Sequence, residues 1–187
     1  MSAAERLLDR EVLQGPSDAE RPALAAAGWD PTVARTVAEE RAEQERQLTA
    51  QLDAAPQWRR GRLRDVVSAR YLAREVIDLL TEALMARDLT VENILIDKAS
   101  ARRFVDIMPS ADVHVELTYA AHRNRDKSWE SNDIFDIDAL SIAVPYCDVV
   151  VTERHACHVL RTARVPARVG TEVFATLGEL VSWLDRQ

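Results

Sequence analysis

Three aspartates, Asp133, Asp136 and Asp138, fall within the stretch Asn132-Asp133-Ile134-Phe135-Asp136-Ile137-Asp138-Ala139-Leu140, at the start of a predicted helix. Glu153 closes the apolar run Asp148-Val149-Val150-Val151-Thr152 that follows. Carboxylates at a helix start, next to one at the carboxyl end of a strand, make an oxygen-rich pocket of the kind that suits a hard divalent cation, Mg²⁺ or Mn²⁺. On a helix, Asp133 and Asp136 are three residues apart and share a face. Asp138 lies on a different face, at the margin of the apolar stripe. From there a carboxylate can point along the packed surface toward a strand end, and ligands of open α/β sheets bind beyond such ends. Asp138 with Glu153 is therefore the leading pair of metal ligands, with Asp136 and Asp133 as further candidates. The helix macrodipole favours acids in a first turn without any catalytic role. That accounts for Asp133 and in part for Asp136, but not for Asp138.

Other residues could handle a nucleic acid. Arg123, Arg125 and Lys127 form a basic loop, and together with Arg154 they could guide a phosphate backbone; a purely solvated loop explains them equally well. Trp129 could stack on a base, although a place in the core is the expected one. His155, Cys157 and His158, with Cys147 nearby, invite a zinc reading, but their spacing matches paired zinc ligands only loosely. A free cysteine and surface histidines are expected instead, and His114 and His122 are likewise expected on helix surfaces. No Gly-x-Ser-x-Gly marks a nucleophile elbow. With 5 glycines in the whole chain, no phosphate-cradling loop is present either.

The elements that must position these groups read as helix-rich α/β. The chain has 187 residues, 47% hydrophobic and 29% charged, with a net charge of −7. That balance argues against non-specific attraction to nucleic acid over the whole surface, while leaving room for a local basic patch or metal-bridged phosphate binding. No apolar run is long enough to span a membrane. The polar first residues do not resemble a secretory signal, and two cysteines give no disulfide framework, so a reducing, cytoplasmic setting is expected. Ser2 and Glu5 form a capping box before a short amphipathic turn through Leu7, Leu8 and Val12. Asp30-Pro31 starts a very polar helix to about Ala54, which should project into solvent or cross the surface. A long helix is expected from Trp58 to about Arg87, then shorter ones after Thr90, over Ala99 to Met108, and from Pro109-Ser110. Asn132 should cap the aspartate helix, with Ile134, Ile137, Ser141 and Val144 on its core face. Asp148 to Thr152 reads as a buried strand, Ala156 to Thr162 as a helix, Pro166 to Val169 as a second parallel strand, and Thr176 with Glu179 as the cap of a terminal helix. Its inner face would be Leu177, Leu180, Val181 and Leu184. Residues 1–107 form a helical segment and residues 108–187 an α/β half, expected to make one compact unit.

From about Met108 to the C-terminus the sequence resembles a PIN-like domain. Asp138-Ala139-Leu140-Ser141-Ile142-Ala143, followed by Cys147-Asp148-Val149-Val150-Val151-Thr152-Glu153-Arg154, carries the resemblance. The family has an alternating α/β fold around a short parallel sheet. Its members are typically metal-dependent ribonucleases, often toxins of toxin–antitoxin systems. The resemblance implies Mg²⁺- or Mn²⁺-dependent hydrolysis of RNA phosphodiesters, with Asp138 at the first matched acid and Glu153 at the second, where Asp is commoner. It also implies a protein partner such as an antitoxin, or a second copy of the chain. The sequence departs from the family's pattern at its start. A complete domain opens with an apolar strand ending in Asp, and here only Ile94-Leu95-Ile96-Asp97 has that local look, 41 residues before Asp138. A middle acid could be Glu75, Asp78 or Glu82. The chain is thus expected to be a diverged or truncated member, or to begin at an internal methionine of a longer protein. The other reading is a non-catalytic, helix-rich α/β module that binds a protein through the charged helix around Glu39 to Gln47.

Overall fold

A computed structural model describes residues 17–28 and 30–187. The expected capping box at Ser2 and the turn through Val12 lie outside them. By contact density the chain divides into two units, Met1–Val37 and Ala38–Gln187. In the first, helix α1 (Arg21–Ala26) begins with Pro in its first turn, where a missing N–H costs nothing. The Asp30 side chain accepts the Thr32 N–H at 2.8 Å, which opens α2 (Pro31–Ala54).

The second unit is helix-rich α/β with a short two-stranded parallel sheet. Within it α2 buries Ala38, Ala42, Leu48 and Leu52. The two alanines let the helix approach its neighbours closely, so Arg41, Glu45 and Arg46 reach partners on other elements while Glu39, Glu40, Glu43 and Gln47 stay exposed. The expected long helix after Trp58 is broken into α3 (Pro56–Arg59), α4 (Leu63–Tyr71), a π-helical turn (Leu72–Val76) and α5 (Ile77–Met85). Gly61, at φ +79°, supplies the left-handed residue that turns the chain between α3 and α4. The π-helical turn then shifts the phase of the helical stripe before α5.

Thr90 precedes α6 (Val91–Ile94), its N–H bonded to Asn93 Oδ1 at 2.7 Å. Asp97 caps α7 (Lys98–Asp106) by accepting the Ser100 N–H at 2.7 Å. Ile94 to Asp97 is therefore a helix end and a helix cap, not a strand carrying an acid. The Pro-Ser start holds for α8 (Pro109–Arg123). Helix α9 (Ser131–Tyr146) begins two residues earlier than Asn132 would have it. Glu130 is the N-cap, and its N–H donates to Asp133 Oδ2 at 2.9 Å. The expected core face is the observed one, with Ile134, Ile137, Ser141 and Val144 all buried.

Strand β1 (Val149–Val151) runs parallel to β2 (Glu172–Phe174), with Val150 opposite Val173. Helix α10 (Arg154–Thr162) follows β1. The strand expected at Pro166 to Val169 is instead α11 (Val165–Val169). Proline fits a first helical turn, and Gly170 at φ +81° ends the helix and sends the chain back into β2. Thr176 caps α12 (Leu177–Leu184), accepting the Glu179 N–H at 3.1 Å. Leu177, Val181 and Leu184 are exposed, so they are not an inner face. The helix is held by Trp183, whose ring lies 5.7 Å from that of Phe174.

Two apolar clusters hold the unit together. One joins α2, α8, α9, α10, α11 and both strands through residues such as Val113, Trp129, Ile137, Val144, Leu160 and Val173. The other joins the second half of α2 to α4, α7 and α8 through Leu52, Leu63, Val67, Val105 and Val115. Among the described residues no helix is long and apolar enough to cross a membrane.

Candidate functional site

Helix α9 sends its acids to two different places. Asp133 and Asp136 line a hollow of about 240 Å³ with Glu153, Lys127, Asn124 and His155. Its floor is apolar, from Leu117, Ile137 and Leu140. Glu153 is delivered by the carboxyl end of β1 and is the N-cap residue of α10. Asp133 already has partners there, Lys127 Nζ at 2.5 Å and the Glu130 N–H. Asp136 and Glu153 are exposed, and their carboxylates make no hydrogen bond to a described residue.

Asp138 is not in this hollow. Its two oxygens accept a forked pair of hydrogen bonds from Arg41 of α2, at 2.5 and 3.0 Å. Its expected pairing with Glu153 is thus not the arrangement found; Glu153 shares its pocket with Asp133 and Asp136. The reason is the helix itself. Two residues of advance carry a side chain about 200° round the axis, so Asp138 turns toward α2 while Asp136 turns toward α10.

The Arg41 side is a dense polar layer. Arg41, Arg70, Arg74, Glu45, Glu75, Tyr71 and His114 surround a small void of about 30 Å³ beside the π-helical turn. Glu45 accepts from Arg70 at 2.9 Å and pairs with His122 Nε2 at 2.8 Å. Burial alone would raise its pKa, but the bonds to His122 and Arg70 outweigh burial and hold it below the usual carboxylate range. The far nitrogen of His122 meets Thr49 Oγ1 at 3.2 Å, and its ring lies 4.9 Å from that of Trp129. His122 is therefore a core residue, not a surface one. His114 also leaves the surface: its ring lies 4.7 Å from that of Tyr71, and burial, helped by the charge of Arg41, lowers its pKa to about 4. The three candidate middle acids, Glu75, Asp78 and Glu82, are all exposed, and Glu75 lines the mouth of the void.

The basic residues are spread out. Lys127 is tied to Asp133. Arg123 lies over the Tyr119 ring, 5.8 Å from its centroid, in a neighbouring hollow of about 410 Å³ that shares Asn124, His155 and Val159 with the first. Arg125 is exposed, 3.9 Å from Asp53, and Arg154 is exposed in the first turn of α10. Trp129 is only 1% exposed and belongs to the core. Cys147 is exposed, whereas Cys157 is buried with Sγ 3.7 Å from the Val173 carbonyl.

The carboxylate oxygens of the first hollow are the right donors for Mg²⁺ or Mn²⁺. Its geometry is not that of a closed metal centre. Among the described residues no three His, Cys, Asp or Glu side chains converge closely enough to hold an ion. One of the three acids is neutralised by Lys127, and the other two come from different elements, α9 and the end of β1. Sequence reasoning missed Arg41 as the partner of Asp138. The small residues Ala38 and Ala42, four apart on the polar helix, are the signal that this face packs closely.

No family model matches the chain, no curated protein is significantly similar to it, and no solved structure matches its fold.

Proposed function

We propose that the chain is a PIN-like ribonuclease acting on RNA phosphodiesters, with its site in the hollow between α8, α9 and α10. The supporting observation is that acids from two separate elements, Asp133 and Asp136 on α9 and Glu153 at the end of β1, line one pocket beside a lysine. Bound Mg²⁺ or Mn²⁺ would supply the Lewis acidity for hydrolysis. The described residues offer two uncommitted carboxylates for it, so this reading makes the hollow half of a metal site that needs a further acid. In this reading Lys127, in the lining, and Arg154, exposed in the first turn of α10, would attract a phosphate, and Asn124 and His155 would donate or accept hydrogen bonds in the lining. An antitoxin-like protein, or a second copy of the chain, belongs to this reading as a partner.

A second reading is favoured by the Arg41–Asp138 fork, which commits the acid that best fits the family pattern to a structural bond. In that reading the chain is a non-catalytic interaction module. Cleavage of a generic single-stranded RNA with Mn²⁺, compared across wild type, Asp136→Asn, Glu153→Gln and Asp138→Asn, separates the two. The nuclease reading expects Mn²⁺-stimulated cleavage, reduced by more than about tenfold in the first two variants and changed little in Asp138→Asn. No cleavage, or cleavage indifferent to Asp136 and Glu153, leaves the interaction module standing.

A further inference from the structure

The two strands differ in how their outer edges are finished. In a parallel ladder the backbone groups of alternate residues point to the same side. Here the Asp148 carbonyl accepts the Glu172 N–H, and the Thr152 N–H donates to the Phe174 carbonyl, both at 2.9 Å. Residues 148, 150 and 152 therefore face β2, and residues 149 and 151 face away. By the same alternation residues 171, 173 and 175 of the β2 segment face outward. Three of those outward groups are met from within the chain. The Thr171 N–H donates to the Pro166 carbonyl at 3.2 Å, and the Ala175 N–H to Glu179 Oε2 at 3.0 Å. The Val173 carbonyl takes Nε and Nη2 of Arg161 at 3.0 and 2.6 Å.

Nothing comparable meets β1. The outward N–H and C=O groups of Val149 and Val151 make no hydrogen bond to any described residue. Val151 is 37% exposed, and the strand carries none of the charges, prolines or bulges that usually blunt an edge. Four backbone groups at strand spacing, beside the exposed Val151 side chain, are complementary to one kind of ligand, another extended backbone.

We propose that the outer edge of β1 receives an extended segment of another protein, apolar at its centre and basic at its ends. The charge choice follows from the surroundings. Asp148 precedes the strand, Glu153 follows it, and Glu172 lies opposite its start, all exposed, with Arg154 next in the chain. A second copy is the poorer occupant. Antiparallel pairing about Val150 would bring the acids that flank each strand, Asp148 and Glu153, to the same ends of the pair, between chains that each carry −7. The proposal does not depend on hydrolysis in the hollow.

Amide hydrogen exchange by NMR on the full chain tests it, with two synthetic seven-residue probes, Lys-Val-Thr-Val-Thr-Val-Lys and its Glu-ended twin. In the free chain the Val149 and Val151 amides should exchange quickly while those of Val150 and Thr152 are protected. The lysine-ended peptide should slow exchange at Val149 and Val151 by about tenfold or more, and the Glu-ended one should not. Val151→Pro removes one outward N–H without touching the ladder to β2, and it should abolish the effect. A lysine-ended peptide N-methylated at alternate residues gives the same test without altering the protein, and it should fail to protect. The proposal is overturned by protection of Val149 and Val151 in the free chain, by protection that rises with protein concentration, by equal effects of the two peptides, or by no effect of either.

Discussion

Removing Arg41 and Asp138 singly and together measures whether the fork between α2 and α9 exists in solution. At an effective dielectric constant of about 20, two charges about 4 Å apart attract by roughly 4 kcal/mol. The side chains are 25% and 45% exposed, so water screens much of this, and exposed pairs usually give under about 1 kcal/mol. The forked geometry raises the figure again. A coupling energy of about 1–2 kcal/mol is expected from urea denaturation of wild type, Arg41→Ala, Asp138→Ala and the double variant. The two single changes should not cost the same. Glu45 and Glu75 also attract Arg41, so Asp138→Ala leaves the guanidinium with partners. Arg41→Ala leaves Asp138 without a hydrogen-bond partner among the described residues and removes a cation that Glu45 and Glu75 attract, so it should be the more destabilising. The coupling should shrink in 1 M salt, where the screening length is about 3 Å. A coupling below about 0.3 kcal/mol would refute the argument that Asp138 is committed to α2, and would return it to the list of metal-ligand candidates.

His114 predicts an acid limb in stability. Its pKa is about 4 in the folded chain and about 6.5 unfolded, so the unfolded state takes up the proton first. Stability should fall as pH drops from about 6.5 to about 4, by up to about 3 kcal/mol in total; a His114→Phe variant that keeps the whole slope would show another source. Glu45, held below the usual range, adds loss at lower pH, as the folded carboxylate is finally protonated. Trp129 should be costly to truncate: Trp129→Ala leaves a cavity in the main cluster and should cost about 3–5 kcal/mol by denaturant midpoint. Trp129→Phe should cost clearly less, because the indole N–H it removes has no hydrogen-bond partner among the described residues; equal costs would mean that the N–H is bonded in solution.

What the sequence made legible is local. Proline and Asp starts marked α2 and α8, the 3.6-residue stripe marked the buried face of α9, and a β-branched run marked β1. What it hid depends on side chains far apart in the chain. The π-helical turn has no residue signature. Pro166 suits a helix start as well as a strand edge, and only Gly170 decides between them. His114 and His122 read as surface histidines because nothing in α8 announces that α2 supplies Glu45 and Thr49 to one and α4 supplies Tyr71 to the other. The candidate site was half legible: its elements and acids were named, but the acid chosen first, Asp138, faces Arg41 and not the hollow that holds Glu153.

The aspartate run poses an either-or question, and the helix decides its terms. Asp133 and Asp136 stand about 60° apart round α9, while Asp138 stands about 160° from Asp136 on the other side. No single small site can take ligands from both directions without unwinding the helix, and α9 is pinned by Ile134, Ile137, Leu140 and Val144 along its length. Glu153 shares the hollow of Asp136, so a site using the end of β1 must use Asp136 and not Asp138. Cleavage that depended on Asp138 and Glu153 together, and not on Asp136, would therefore require α9 to rotate or its cap at Glu130 to open. That would show as lost protection of the α9 amides on adding Mn²⁺.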